Sequence, residues 1–291
     1  MRQLKPVAVL LLLVILTSCG KKEKKIPEAL RRFTRQEIPA PIPLDKGFSQ
    51  YITGFTSGVV SSASPIEIRF TPEFASLADK SAGGLFSFDP NIKGKSEWKN
   101  ETTLVFTPSG QLDPGRVYSG NLNLGKLANL EERYRSFPIR IQVMRKDFRL
   151  ITGTLVCDPE NEKNYILNGE VALSDVMNNE DIEKLVSARL DRKKLQLSWD
   201  HSEILIHKFI VKEITRESAE RELSLEWDGT HSGIRQKGVK KILIPPASLF
   251  SVLDVIKYPG RNPRIEVVFS DPVDDKQELE GLLYFTPQSD I

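Results

Sequence analysis

An all-β fold of tandem sandwich domains is the class this sequence predicts, and three observations predict it. Residues 66–71 read IEIRFT and residues 265–270 read IEVVFS; each is followed within twenty residues by a second matching block, GLFSFDP at 84–90 and GLLYFTP at 281–287. In both copies apolar side chains alternate (Ile66, Ile68, Phe70; Ile265, Val267, Phe269), the period of a strand with one face on a core. Third, the apolar runs are short and separated by turn residues, with no long helical pattern between them. The repeat sets an immunoglobulin-like domain near residue 50 and the start of another near residue 250. The later copy has room for two or three strands of the seven that such a sandwich needs, so the chain reads as the front end of a longer modular protein.

The chain opens with a targeting segment. Arg2 and Lys5 precede the apolar run Val7 to Leu16, and Leu16-Thr17-Ser18 leads to Cys19. Ten helical residues rise about 15 Å against a hydrocarbon core of about 30 Å, too short for a stable span. Residues 1–18 therefore read as a signal peptide. The pattern resembles the bacterial lipobox, which implies that cleavage leaves Cys19 as the mature N-terminus carrying a diacylglyceryl thioether and usually a third acyl chain, and two or more chains anchor firmly where one does not; the alternative is ordinary secretory cleavage near Ser18. Residues 19–47 form the lipidated tether; Lys21, Lys22, Lys24 and Lys25 read first as a solvated linker, with a place beside the headgroups as the alternative, and the alternating prolines of IPAPIP predict an extended spacer.

Residues 48–146 form the first predicted sandwich. Seven strands are expected in YITGFT, PIEIRFT, GLFSF, SEW, TTLVFTP, RVYSGNLNL and FPIRIQVM, with Leu112-Asp113-Pro114-Gly115 as a turn feeding the sixth. Trp98, Phe106 and Tyr118 read as core aromatics, with a carbohydrate platform as the alternative. Residues 147–248 form the second sandwich, from FRLITGTLVC, YILNGEVAL, KLQLSWD, ILIHKFIVKEI, RELSLEWD and KKILIP. Between the second and third of these, Ser174 to Leu190 shows helical spacing, with Ile182, Leu185 and Val186 on one face and Asn179 or Asp181 as cap. Trp199 and Trp227 end two matching Leu-x-Trp-Asp units as core aromatics. Residues 249–291 begin the third, incomplete sandwich.

Composition narrows the function. Forty-one Lys and Arg against 39 Asp and Glu give a formal charge of +2, which offers no reason for a nucleic-acid partner. With Cys19 committed to lipid, Cys157 has no disulfide partner and reads as a quiet thiol. No phosphate loop, nucleophile elbow or Cys-x-x-Cys occurs. His201, His207 and His231 are the only histidines; the spacing of six lets the first two share a strand face, but no third metal ligand is evident. Asp271, Asp274, Asp275 and Glu278 crowd one turn, read as solvated rather than calcium-binding. The expectation is a chain that is not an enzyme, with no catalytic residues, no metal and no cofactor.

The order ITGTLVC, SDVMNNEDIEKLVSARLDRKKLQLSWDHS, HKFIVKEITRE, LSLEWDGTHSGIRQKG, IPP, FSVLDV and IEVVFSDPVDDKQELEGLLYF resembles the N-terminal arm of bacterial alpha-2-macroglobulins. The first sandwich, through TSGVVSSASPIEIRF and LDPGRVY, resembles immunoglobulin-like modules at the start of such proteins. The resemblance covers about residues 51–285. It implies a row of macroglobulin-type sandwiches in a large envelope lipoprotein that traps proteases cleaving a bait region. The family's Cys-x-Glu-Gln thioester is not matched: Cys157 is followed by Asp158-Pro159-Glu160 and Cys19 by Gly20-Lys21-Lys22, and no bait region is identifiable. The expected function is a membrane-anchored scaffold arm of a protease-trapping protein. The alternative is an immunoglobulin-like lipoprotein that binds a glycan, peptide or envelope protein. Gly20 after the lipid cysteine lacks an inner-membrane retention aspartate, so the expected location is the outer membrane of a bacterial envelope, with the bilayer as partner through Cys19 and proteases as partners of the full-length protein.

Overall fold

A computed structural model describes Phe33, residues 36–274, Lys276 and Gln277. Cys19, the signal peptide and the second repeat block at 281–287 lie outside the described residues.

The first sandwich contains eight strands: β1 (Ile52–Phe55), β2 (Gly58–Val60), β3 (Ile66–Phe70), β4 (Phe86–Asp89), β5 (Gly94–Trp98), β6 (Thr103–Pro108), β7 (Val117–Asn123) and β8 (Ser136–Val143). One sheet has the order β1-β3-β6-β5 and the other β2-β8-β7-β4, and β2 runs parallel to β8. The chain crosses between the sheets at five of its seven strand-to-strand connections, while β5–β6 and β7–β8 pair within one sheet, a connectivity of the immunoglobulin-like class. The alternation read from the sequence is the cause: Ile66, Ile68 and Phe70 point inward from β3, and Phe137, Ile139 and Ile141 from β8, and all six are buried. The turn ahead of β7 is fixed by Tyr118, whose Oη accepts from the Asp113 N–H at 3.2 Å, the tyrosine corner of such folds.

Two elements of this domain depart from the expectation. β2 is a three-residue edge strand, too short to show alternation. A one-and-a-half-turn helix, α1 (Pro72–Leu77), follows β3 directly; Thr71 caps it and Pro72 occupies its first turn, where a missing N–H costs nothing. Phe74 and Ala75 turn its inner face into the core.

The second sandwich comprises β9 (Phe148–Cys157), β10 (Asn164–Leu173), β11 (Val186–Leu190), β12 (Lys193–Leu195), β13 (Leu197–Asp200), β14 (Ile206–Thr215), β15 (Arg221–Asp228) and β16 (Lys237–Ile244), in sheets ordered β13-β14-β10-β9 and β12-β11-β15-β16. The helical stretch expected over Ser174 to Leu190 contracts to α2 (Asn179–Glu183), capped by Asn178 rather than Asn179 or Asp181. Val186 to Leu190 is strand, because its inward residues Val186, Ala188 and Leu190 complete the core against β15. Gly169 allows the Phe209 ring to lie flat over β10; a Cβ there would meet the ring at 2.2 Å.

Both sandwiches are thus all-β and immunoglobulin-like in class. A third unit begins with the hairpin β17 (Val252–Tyr258) and β18 (Arg264–Phe269). It repeats the opening of the first domain in detail. Ile52 faces Phe70 with a register shift before Gly54, and Val252 faces Phe269 with a register shift before Asp254. The Thr71 N–H donates to the Tyr51 carbonyl at 2.9 Å, and the Ser270 N–H to that of Ser251 at 2.8 Å.

Residues 36–45 do not stand away from the first sandwich. Gln36 binds the end of β8, Arg140 Nη1 donates to the Ala40 carbonyl at 3.4 Å, and Ile42 lies by Pro138 and Gly120. Leu44 packs on the core, and Phe48 is buried edge-on against Phe137 and Tyr134. Gly47 permits that closure, since a Cβ would stand 2.0 Å from Tyr134 Oη. The segment predicted as an extended spacer therefore runs antiparallel along the length of β8.

Candidate functional site

The residues most constrained by chemistry sit where the domains meet. At the first joint, β8 passes to β9 through Met144 to Asp147. The Met144 N–H donates to the Val60 carbonyl at 2.8 Å, the Asp147 N–H to Ser174 Oγ at 2.8 Å, and Ser174 Oγ to the Arg145 carbonyl at 2.9 Å. Across the joint, Asp175 reaches from the end of β10 to the turn after β2. Ser61 Oγ donates to its Oδ1 at 2.5 Å and the Ser62 N–H to its Oδ2 at 2.8 Å, while its own neighbour Val176 donates to Oδ1 at 2.9 Å. Asp175 is 3% exposed and Ser62 fully buried. A buried carboxylate is tolerated here because three donors meet it.

Gln36 closes the same joint from the tether. Its Nε2 donates to the Val143 carbonyl at 2.9 Å and its Oε1 accepts from the Arg145 N–H at 2.7 Å, so one side chain imitates a neighbouring strand. Phe33 lies under the Arg149 guanidinium, 4.7 Å from the ring centroid.

The second joint is built differently. Arg216, on the residue after β14, holds Asp271 through Nη1 to Oδ1 at 2.5 Å and Nη2 to Oδ2 at 3.1 Å. The guanidinium lies over the buried Tyr165 ring at 4.9 Å, and Ser270 Oγ donates to Asp271 Oδ2 at 2.7 Å. Hydrogen bonding from Arg216 holds the Asp271 carboxyl below the usual carboxylate range, and Asp271 raises Arg216 in turn. Thr154 on β9 also hydrogen-bonds Asp254 on β17.

This changes the reading of the acidic turn. Asp271 is committed to Arg216, and Asp274 accepts from the Lys276 N–H at 2.9 Å, so the two described carboxylates of the cluster serve protein donors. Asp275 and Glu278 lie outside the described residues. Cys157 faces Tyr165 across β9 and β10, and burial raises its thiol pKa against the opposing pull of Arg216, a cationic neighbour that the sequence did not reveal.

The two histidines do come together. His201 Nδ1 and His207 Nδ1 are 3.0 Å apart, and His201 Nε2 is 3.2 Å from Glu183 Oε1 on α2. The Trp199 ring stacks on His201 with centroids 5.7 Å apart. Glu183 binds the far nitrogen of His201, so the three do not converge on one point, and among the described residues no group of three or more His, Cys, Asp or Glu is arranged to hold a metal ion. Burial, then the neighbouring His201, depress the His207 pKa. His231 lies apart, its Nε2 3.3 Å from the Asp181 carbonyl. The carbohydrate platform does not form: Phe106 and Tyr118 are buried in opposite sheets, and Trp98 packs against Phe70.

No family model matches the chain, and no curated protein does. Among solved structures it is similar to L,D-transpeptidase 3 from Mycobacterium tuberculosis in complex with a faropenem-derived adduct, at 9% identity and a TM-score of 0.24, over 60% of this chain and 62% of that one. The chain thus spans under two thirds of that structure. Bovine butyrophilin is similar at 12% identity and a TM-score of 0.28, over 66% of this chain and 94% of that one. An L,D-transpeptidase in complex with imipenem is similar at 14% identity and a TM-score of 0.23, over 69% and 74%. The expectation that the chain is not an enzyme is corrected, because the solved structures similar to it include L,D-transpeptidases, which are enzymes. Likeness at these scores carries no activity to the chain.

Proposed function

We propose that this chain is the membrane-proximal scaffold arm of a bacterial alpha-2-macroglobulin-like envelope lipoprotein, anchored through acylated Cys19. One observation carries the reading: the middle sandwich is fastened at both ends, by Asp175 to the first domain and by Arg216 to the third. Domains in a row move relative to one another by default, and small polar interfaces seldom prevent it. Multiply bonded clamps at successive joints, each with one charged partner buried, fit an arm that must hold one domain at a set angle to the next. The near-identical openings of the first and third units, with the same register shift, are consistent with a serial array of such modules. Anchoring at the outer membrane and proteases as partners are part of the proposal and come from the resemblance in the sequence.

The test uses the native protein that carries this chain, isolated from its cell envelope and mixed with an active endopeptidase. Trapping predicts that the protease loses activity toward protein substrates while keeping it toward small peptides, with a stoichiometric complex. Equal loss on both substrate sizes, or on neither, overturns the trapping role. Copurification of a glycan or envelope protein instead supports the alternative binding module. Mass spectrometry of the N-terminal peptide checks the acylated Cys19 separately.

A further inference from the structure

The tether does not leave from the far end of the first sandwich. Because residues 36–45 run back along β8, the chain emerges beside the first joint, at the groove lined by Phe33, Gln36 and the loop Ser232 to Gln236. Three cations line that groove: Arg145 and Lys146 from the β8–β9 connection and Arg235 from the β15–β16 loop. Arg145 and Arg235 are exposed, Lys146 is half-buried, and none of them forms an ion pair among the described residues. The carboxylate in the lining, Asp147, accepts from the Phe148 N–H at 2.9 Å. Phe33 lies fourteen residues after Cys19, so at most about 50 Å of chain separates the groove from an acylated cysteine.

We propose that this basic face at the joint of the first and second sandwiches docks on the anionic lipid headgroups of the bilayer to which the chain is tethered. The inference rests on the reading that Cys19 is acylated. Cations with no carboxylate partner among the described residues, gathered where the chain from Cys19 first reaches the folded protein, stand where a phosphate-rich surface is nearest. Each basic residue close to an anionic surface raises the ratio of docked to undocked protein about fivefold, so three raise it about a hundredfold. Tethering supplies the proximity and the cations supply the orientation. The membrane then meets the elbow between the domains, leaving the end of the first sandwich around α1 pointing away.

The test is an orientation measurement on the full chain, purified from membranes and reconstituted in vesicles of phosphatidylcholine alone or with 30 mol% phosphatidylglycerol (about a third of the lipid, a composition in the anionic regime). In a Cys157→Ser background, a fluorophore is placed at Pro114→Cys, beside the groove, or at Leu77→Cys, which is 75% exposed on α1. Headgroup nitroxide lipids are expected to quench the first label in anionic vesicles and not in neutral ones, and to leave the second label unquenched in both. R145Q/K146Q/R235Q, or salt raised until the Debye length is about 3 Å, is expected to abolish the quenching while the chain still floats with the vesicles. Flotation with no composition-dependent quenching at Pro114→Cys, or quenching that survives the triple substitution, overturns the docking face and leaves the lipid anchor standing. A chain that floats with neither vesicle overturns both.

Discussion

The two joints of the middle sandwich solve one problem with different chemistry. At the first, a buried carboxylate, Asp175, takes neutral donors, a serine hydroxyl and a backbone N–H. At the second, a carboxylate one-third exposed, Asp271, takes a bidentate guanidinium that is 4% exposed and rests on Tyr165. The first arrangement hides a charge among dipoles that the other domain's backbone already supplies. The second pairs two charges, and its strength depends on keeping both. Fixing an angle between domains thus needs directional bonds more than area, and removing one partner should cost more where the group left behind is a charge.

The largest expected effect is therefore at the second joint. Arg216→Ala leaves Asp271 without its cation and uncovers Tyr165, and should destabilise the docking of the β17–β18 hairpin by about 3 kcal/mol, at the low end of the range for broken buried pairs because water reaches Asp271. Hydrogen exchange of the hairpin amides, read against those of β6 in the first sandwich, checks it. Unchanged hairpin protection would mean that the Thr154–Asp254 contact carries the joint instead.

A smaller effect is expected at the first joint. Asp175→Ala strands the Ser62 N–H and the Ser61 hydroxyl, which costs about 2 kcal/mol for hydrogen bonds to a charged acceptor. Exchange of the Ser62 amide should accelerate and the cores of both sandwiches should stay protected. If Arg216→Ala and Asp175→Ala turn out equal, the contrast between a charge pair and a solvated-by-dipoles carboxylate is lost.

These bonds are also what the sequence hid. The sandwiches themselves were legible, since strands with one buried face alternate and the alternation in IEIRF, FPIRIQV or LSLEW survives without any partner in view. β2 was missed because Gly58-Val59-Val60 is too short to alternate, and α1 because its apolar residues continue those of β3. The joints pair residues 114 and 55 positions apart, and nothing local marks Asp175 or Asp271 as a clamp. Asp271 looked like one more acid in a solvated turn. The prolines of IPAPIP do predict an extended backbone, but extension says nothing of what the segment lies against, and it lies on β8. His201 and His207 do not share one strand face: His201 follows β13, His207 points inward from β14, and the turn between them brings the rings together. The third group, Glu183, comes from a helix that ends seven residues before the apolar spacing predicts.

The smallest expected effect concerns the sandwich that both joints share. All three histidines of the chain lie in it, so a stability change between pH 7.5 and 5.5 that arises from histidine belongs to the second sandwich and not the first. His207 is the residue that matters: it is 3% exposed, its pKa is depressed by burial and by His201, and Glu183, Glu203 and Asp200 are carboxylates near the pair. The sign follows from proton uptake. With the folded-state value below the ordinary one of about 6.5, the unfolded chain gains a proton as pH falls past 6.5 while the folded chain does not, so stability declines on acidification through that window and levels off once the folded form also titrates. Amide exchange in β10 and β14 should accelerate from pH 7.5 to 5.5, after correction for the intrinsic rate, more than in β3 and β6. His207→Phe, which keeps the inward position filled with an apolar ring, should remove that difference. Parallel slopes in the two sandwiches, or a slope that persists in His207→Phe, would place the titrating group elsewhere and detach the pH response from the domain that holds the joints.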